Sequence, residues 1–124
     1  MDNTALWACQ ILLAIALLAV GLTHATRRDQ ATGQGAWMLA VPMPLLTTIG
    51  VLEILGAIGL VVPWAAGIAP WLTPLAAIAF VVLMVLATVF HLRRPGEKGN
   101  VVFTIVLGLI AALIAWGRID ALRV

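Results

Sequence analysis

Charge is what this chain has least of. Only 10% of its 124 residues are charged, against 64% that are hydrophobic, where soluble domains carry about a quarter charged and half apolar. A water-soluble globule is excluded on that ground, and the mean hydropathy of +1.15 agrees. The net charge of +2 is too small, and its basic residues too confined to segment ends, for a nucleic-acid partner. Cys9 is the single cysteine, which rules out an internal disulfide and thiol-pair redox chemistry. A phosphate-binding glycine loop, a serine–histidine–acid set, an internal repeat and a low-complexity tract are all missing. The start of the chain has Asp2 and no basic residue ahead of a long apolar run, so it reads as a span and not as a signal peptide.

What is present is hydrophobic length. Four segments approach the roughly 20 residues that a bilayer requires, at about 5–24, 45–62, 71–91 and 101–117. The expected fold is all-α, a membrane four-helix bundle, in a single integral membrane domain over 1–124. The longest connection, 25–43, begins polar (TRRDQATGQG) and turns apolar (AWMLAV), which suits a short interfacial or re-entrant piece. The connection PWAAGIAP is an uncharged turn, and RRPGEKG is a charged one.

Two signals bear on orientation. Trp7, Trp64, Trp71 and Trp116 fall at one end of the bundle, as an interfacial aromatic belt does; Arg27, Arg28, Arg93, Arg94 and Lys98 fall at the other, opposed only by Arg118 and Arg123. The positive-inside rule makes the basic end cytoplasmic and places both termini outside. The expected location is the bacterial inner (plasma) membrane.

Glu53 is the residue out of place. It stands in the middle of LLTTIGVLEILGAIGLVV, where a carboxylate costs roughly 3 kcal/mol on insertion scales. Such a group is protonated, paired or open to water. At about 100° per residue, Gly50, Gly56, Ala57 and Leu60 share its side of a helix, and small residues mark the face where membrane helices pack closely. Glu53 is therefore expected to point into the bundle. One role for it is a hydrogen-bonded acid that ties helices together; the other is functional, the default for an intramembrane ionisable group.

Further stripes face inward with it: Gln10, Ala14, Gly21 and His24 on the first span; Ala77, Phe80, Met84, Ala87 and His91 on the third; Asn100, Thr104, Ala111 and Arg118 on the fourth, with Arg118 at the opposite end and outside the cluster. His24, His91 and Asn100 close their spans at the basic end. Glu53 lies roughly 12 Å deeper at 1.5 Å per residue. This predicts a cleft with two imidazoles at its mouth and a carboxyl at its floor, with Thr47 and Thr48 among its lining and Gly50, Gly56, Ala57, Met84 and Ala87 packed around it. Such a set can relay protons or bind a ligand. The bland alternative puts the histidines at headgroup level. His24, His91 and Glu53 are of metal-ligating types, but no close-spaced ligand motif accompanies them, and no metal is expected.

Several stretches together resemble the DoxX-like family of small four-helix membrane proteins. They are LWACQILLA, GVLEILGAIGLVVP, GIAPWLTPLAAIA and MVLATVFHLRR, then Asn100 and the AWGR that ends at Arg118. One departure is at the end of the first span, where members often have Gly-x-x-Lys and this chain has Gly21 followed by Thr23 and His24. The resemblance implies the helical bundle and supports Glu53, His91 and Asn100 as site residues. Relatives are linked by name to a quinone-reducing thiosulfate oxidoreductase subunit, to membrane redox complexes and to a receptor-assembly chaperone. By analogy, the expected function is binding of a small apolar ligand or partner subunit in the polar cleft, as an accessory to a membrane redox complex. The alternatives are a quinone-linked oxidoreductase subunit and a small transporter or proton pathway. The implied cofactor is a quinone, supplied or reduced with a partner. The implied partners are the lipid bilayer, a membrane redox protein or a second copy of the chain.

Overall fold

Four long helices cross the molecule in the computed structural model, which describes residues 1–123. They are α1 (Asn3–Thr26), α2 (Met43–Ala66), α3 (Leu72–Leu92) and α4 (Lys98–Arg118); a turn of 3-10 helix, Ile119–Arg123, continues α4. α1, α2 and α4 run slightly beyond the apolar stretches that announce them, while α3 is shifted by one residue. Asp2 caps α1 by accepting a hydrogen bond from the Ala5 N–H at 2.7 Å. Pro44 lies in the first turn of α2, where the absent N–H costs nothing. Gly67, at φ 67°, ends α2 in the left-handed conformation that a side chain disfavours.

The outward faces identify the solvent. All four helices contain windows of mean hydropathy 2.2–2.6, yet no more than 28% of any such window is buried within the protein. Leu12, Ile15, Leu55, Leu86 and Leu109 are each about 60% exposed. So much bare apolar surface is incompatible with water and expected of lipid. The protein is an integral membrane four-helix bundle with no strand among the described residues.

The bundle is an up-and-down ring built from two tight hairpins, α1–α2 and α3–α4. The hairpins are clamped together at the end away from the basic residues. There the Thr73 hydroxyl donates to the Gly59 carbonyl at 3.0 Å, and the Phe80 ring lies so close to Gly56 that an added Cβ would be 2.3 Å from it. Leu6 is equally close to Gly117. Arg118, only 6% exposed, donates from Nε to Gln10 Oε1 at 2.8 Å, and Gln10 Nε2 donates to the Leu60 carbonyl at 2.7 Å. The guanidinium is stacked 4.3 Å from the centre of the Trp64 ring, with Trp7 at 5.9 Å. Trp7 and Trp64 are thus drawn inward by a buried cation and do not simply form part of a belt; Trp71 and Trp116 remain exposed. Leu13, Leu17, Leu60, Phe80, Met84 and Ile114 belong to the apolar core.

At the basic end the hairpins part. The connection from α1 to α2 folds back as two 3-10 stretches, Arg28–Gln30 and Gly33–Ala40. The second acts as a plug. Met38 and Val41 are buried there with Leu46, against Trp37 and Phe90, in a small core of their own.

Candidate functional site

Two histidine–carboxylate pairs face each other across the plug. His24, near the end of α1, and Glu53, within α2, share a hydrogen bond between Nδ1 and Oε1 at 2.6 Å. Close approach of the helices allows it. An added Cβ on Gly50 would lie 2.6 Å from the Gly21 carbonyl oxygen and 2.8 Å from the Ala25 nitrogen, so α1 and α2 are in backbone contact beside this pair. Glu53 is 1% exposed. An unpaired carboxylate is strongly disfavoured at such depth, and the imidazole removes that penalty.

The second pair is His91, near the end of α3, with Glu97, just before α4: Nδ1 and Oε1 are 2.5 Å apart. Glu97 also accepts from Arg94 Nε and, at 3.4 Å, from Asn100 Nδ2. Burial alone raises the Glu97 carboxyl, but the hydrogen bonds from His91, Arg94 and Asn100 and the charge of Arg94 together hold it below its ordinary value of 4.5. A lowered folded-state pKa gives stability that is fully present above the ordinary carboxylate range and is lost as pH falls through the folded value. A thermal-stability profile from pH 7 down to pH 3 is therefore expected to slope downward in acid, and Glu97→Gln to flatten that slope. An unchanged slope would contradict this role for Glu97.

Trp37 stands between the pairs. Its ring is edge-on to His24 at 5.1 Å and to His91 at 5.0 Å, centre to centre, with Phe90 behind at 5.9 Å. The plug that carries it is tied at both ends. Asn100 Nδ2 donates to the Gln34 carbonyl at 2.8 Å, while Arg28 reaches the carbonyls of Leu39 and Val41 at 3.1–3.2 Å.

Beneath the plug lies a cavity of about 620 Å³ whose wall is mainly apolar, within the range of small-molecule sites. Glu53, His24, His91 and Asn100 all line it, as do Met84 and Ala87. Neither imidazole Nε2 has a hydrogen-bond partner among the described residues, and both histidines line the cavity.

The geometry refines the sequence reading. Glu53 bonds one of the two imidazoles, His24, and His91 has an acid of its own, Glu97. Asn100 lines the cavity, but its amide is already engaged in fastening the plug. Of the residues expected to pack around the site, Gly50 serves the α1–α2 contact beside the His24–Glu53 pair, Gly56 admits Phe80, and Ala57 belongs to the core. Thr47 and Thr48 are outside the cavity wall, and the Thr48 hydroxyl is satisfied within its own helix by the Pro44 carbonyl at 2.8 Å. Trp37, Gln34 and Glu97 were missed. The only signals for them were the apolar turn of the long connection and an acid three residues after Arg94. No group of three or more histidine, cysteine, aspartate or glutamate residues among those described is arranged to hold a metal.

No curated protein and no solved structure matches the chain. A family model does, that of the DoxX-like family, over residues 8–114, which includes both histidines, Glu53, Trp37, Glu97 and the whole cavity wall. With most of its length matched, this integral membrane protein belongs to the DoxX-like family.

Proposed function

We propose that the protein binds a small, largely apolar molecule with hydrogen-bonding oxygens in the cavity at the basic end of the bundle, as an accessory to a membrane redox complex. The observation that carries this reading is the pair of histidines with unpartnered Nε2 atoms in the wall of a mainly apolar cavity of ligand size. Each histidine is held by its carboxylate through Nδ1, which fixes the ring and leaves Nε2 to meet the ligand. A quinone suits this set in the ion-paired form of each histidine, in which Nδ1–H donates to the carboxylate and Nε2–H donates to a quinone carbonyl oxygen, and its ring can stack on the aromatic wall of Trp37 and Phe90. The histidine–carboxylate pairs can exchange a proton with such a ligand. Electrons come from a partner on this reading, and the mouth of the site faces the cytoplasm.

Native mass spectrometry of the detergent-solubilised protein with a short-chain benzoquinone tests it. A one-to-one adduct is expected. Each lost hydrogen bond of about 1–3 kcal/mol should weaken it roughly 5- to 150-fold, so His91→Ala and Glu53→Gln should both deplete the adduct. Equal binding by wild type and both variants would sink the proposal.

A further inference from the structure

Helices α2 and α3 do not stay together along their length. They are closest in the outer half, where Thr73 bonds the Gly59 carbonyl and Phe80 fills the notch at Gly56. Toward the basic end, residues of both helices line the cavity. Leu45 and Ile49 of α2 line it, as do Leu83 and Leu86 of α3. The opposite flank of α3, with Val81, Val85 and Thr88, faces a groove against Ile105 and Gly108 of α4. The Leu83 and Leu86 flank therefore looks toward α2. Leu45 is 53% exposed and Leu86 63% exposed, although both belong to the cavity wall. Wall residues so open breach the cavity at the side, from Leu45 in the first turn of α2 down to Leu86, six residues inside the end of α3 and within its apolar span.

We infer that this cleft is a lateral doorway, and that the ligand is a membrane-resident amphiphile with a neutral oxygen-bearing head and a single alkyl or isoprenoid chain. The head lies beneath Trp37 at the two imidazoles, and the chain leaves between Leu45 and Leu86 into the bilayer. This rests on the reading of the cavity as a ligand site. The neutral head follows from the charges. The cavity wall contains no lysine or arginine to receive a phosphate, and its one acid, Glu53, is already paired with His24. A phospholipid or a cationic amphiphile would leave its own charge unpaired in an apolar space. A bilayer chain gains nothing by moving from lipid to an apolar cleft, so the hydrogen bonds at the head must supply the preference.

The test uses a 4-alkylphenol with a photoreactive diazirine midway along its chain, added to the full-length protein in nanodiscs. Labelling is expected to concentrate on Leu45, Ile49, Leu83 and Leu86 and to be lost on adding excess unlabelled 4-alkylphenol. Leu86→Trp, which fills the doorway at an exposed position, should abolish labelling there, while Val82→Trp on the same helix should not. Labelling spread evenly over lipid-facing residues such as Leu12, Ile15 and Leu109, or cleft labelling unmoved by competitor, would overturn the inference. The ligand site and the doorway fail separately. If phenol without a chain binds wild type and is lost in His91→Ala while cleft labelling is absent, the site stands and the doorway falls.

Discussion

Gly50→Ala is expected to destabilise the protein by about 2–3 kcal/mol, the upper part of the range for an overpacked contact. The new methyl would meet the Gly21 carbonyl at 2.6 Å and the Ala25 nitrogen at 2.8 Å. Both atoms are backbone, so no side chain can swing aside, and α1 must move away from α2. That movement also lengthens the His24–Glu53 bond. Gly59→Ala supplies the contrast. Its methyl would meet only the Ala76 methyl, at an ordinary 3.4 Å, and alanine is the better helix former by up to about 1 kcal/mol. Unfolding in mixed micelles should show a large loss for Gly50→Ala and a change within about 1 kcal/mol for Gly59→Ala. Similar losses for the two would mean that the α1–α2 backbone contact is not as described.

The second large effect is expected at Glu53. Glu53→Ala leaves the His24 Nδ1 without its partner in a site where the acid is 1% exposed, at a cost of about 1–3 kcal/mol. The size of the loss alone does not identify the pair, because any truncation there also leaves a void. A double-mutant cycle with His24→Ala isolates it. If the two side chains act through one bond, the second substitution adds little to the first, and the coupling is on the order of 1 kcal/mol or more. Additive losses would mean that Glu53 is stabilised by something other than His24. Glu53→Gln keeps an acceptor for the imidazole and should retain more stability than Glu53→Ala while still weakening ligand binding, which separates the structural role from the proposed one.

The parts of this arrangement that could be read from the sequence are those fixed by helical periodicity and by rarity. A lone carboxyl in an apolar span flanked by Gly50 and Ala57 has to face inward, and Glu53 does. His24 and His91 close spans that end on one side, so an up-and-down bundle brings them to the same rim. The pairing was not legible. Periodicity says which face a residue occupies, but the choice between His24 and His91 as the partner of Glu53 depends on the backbone approach of Gly21 to Gly50, a tertiary distance. Glu97 belongs to a breaker-rich turn with no period, where composition suggests only a solvated loop. Trp37 lies in a 3-10 stretch held by Asn100 and Arg28 to segments far along the chain, and no local rule anticipates those contacts. Thr48 shows the reverse error. Its polarity suggested the cavity, but a hydroxyl on a membrane helix can satisfy itself on the carbonyl four residues earlier and face outward.

The clamp at the end away from the basic residues helps to explain how an open cavity is sustained. Gln10, Arg118 and Trp64 join α1, α2 and α4 at the far end, while Thr73 and Phe80 join α3 to α2. With the hairpins held there, they can part at the basic end without the bundle coming apart. The plug then covers the opening from the aqueous side.

The central claim is that a ligand with hydrogen-bonding oxygens sits beside Trp37, between the two imidazoles. Fluorine NMR of the protein labelled with 5-fluorotryptophan tests it most directly. The chain has five tryptophans, of which Trp37 alone is at the basic end, and Trp37→Phe assigns its resonance. A short-chain benzoquinone should shift that one signal saturably, leave those of Trp7, Trp64, Trp71 and Trp116 in place, and have no such effect in His91→Ala. A Trp37 signal that stays fixed, or one that shifts equally in wild type and His91→Ala, would contradict the account.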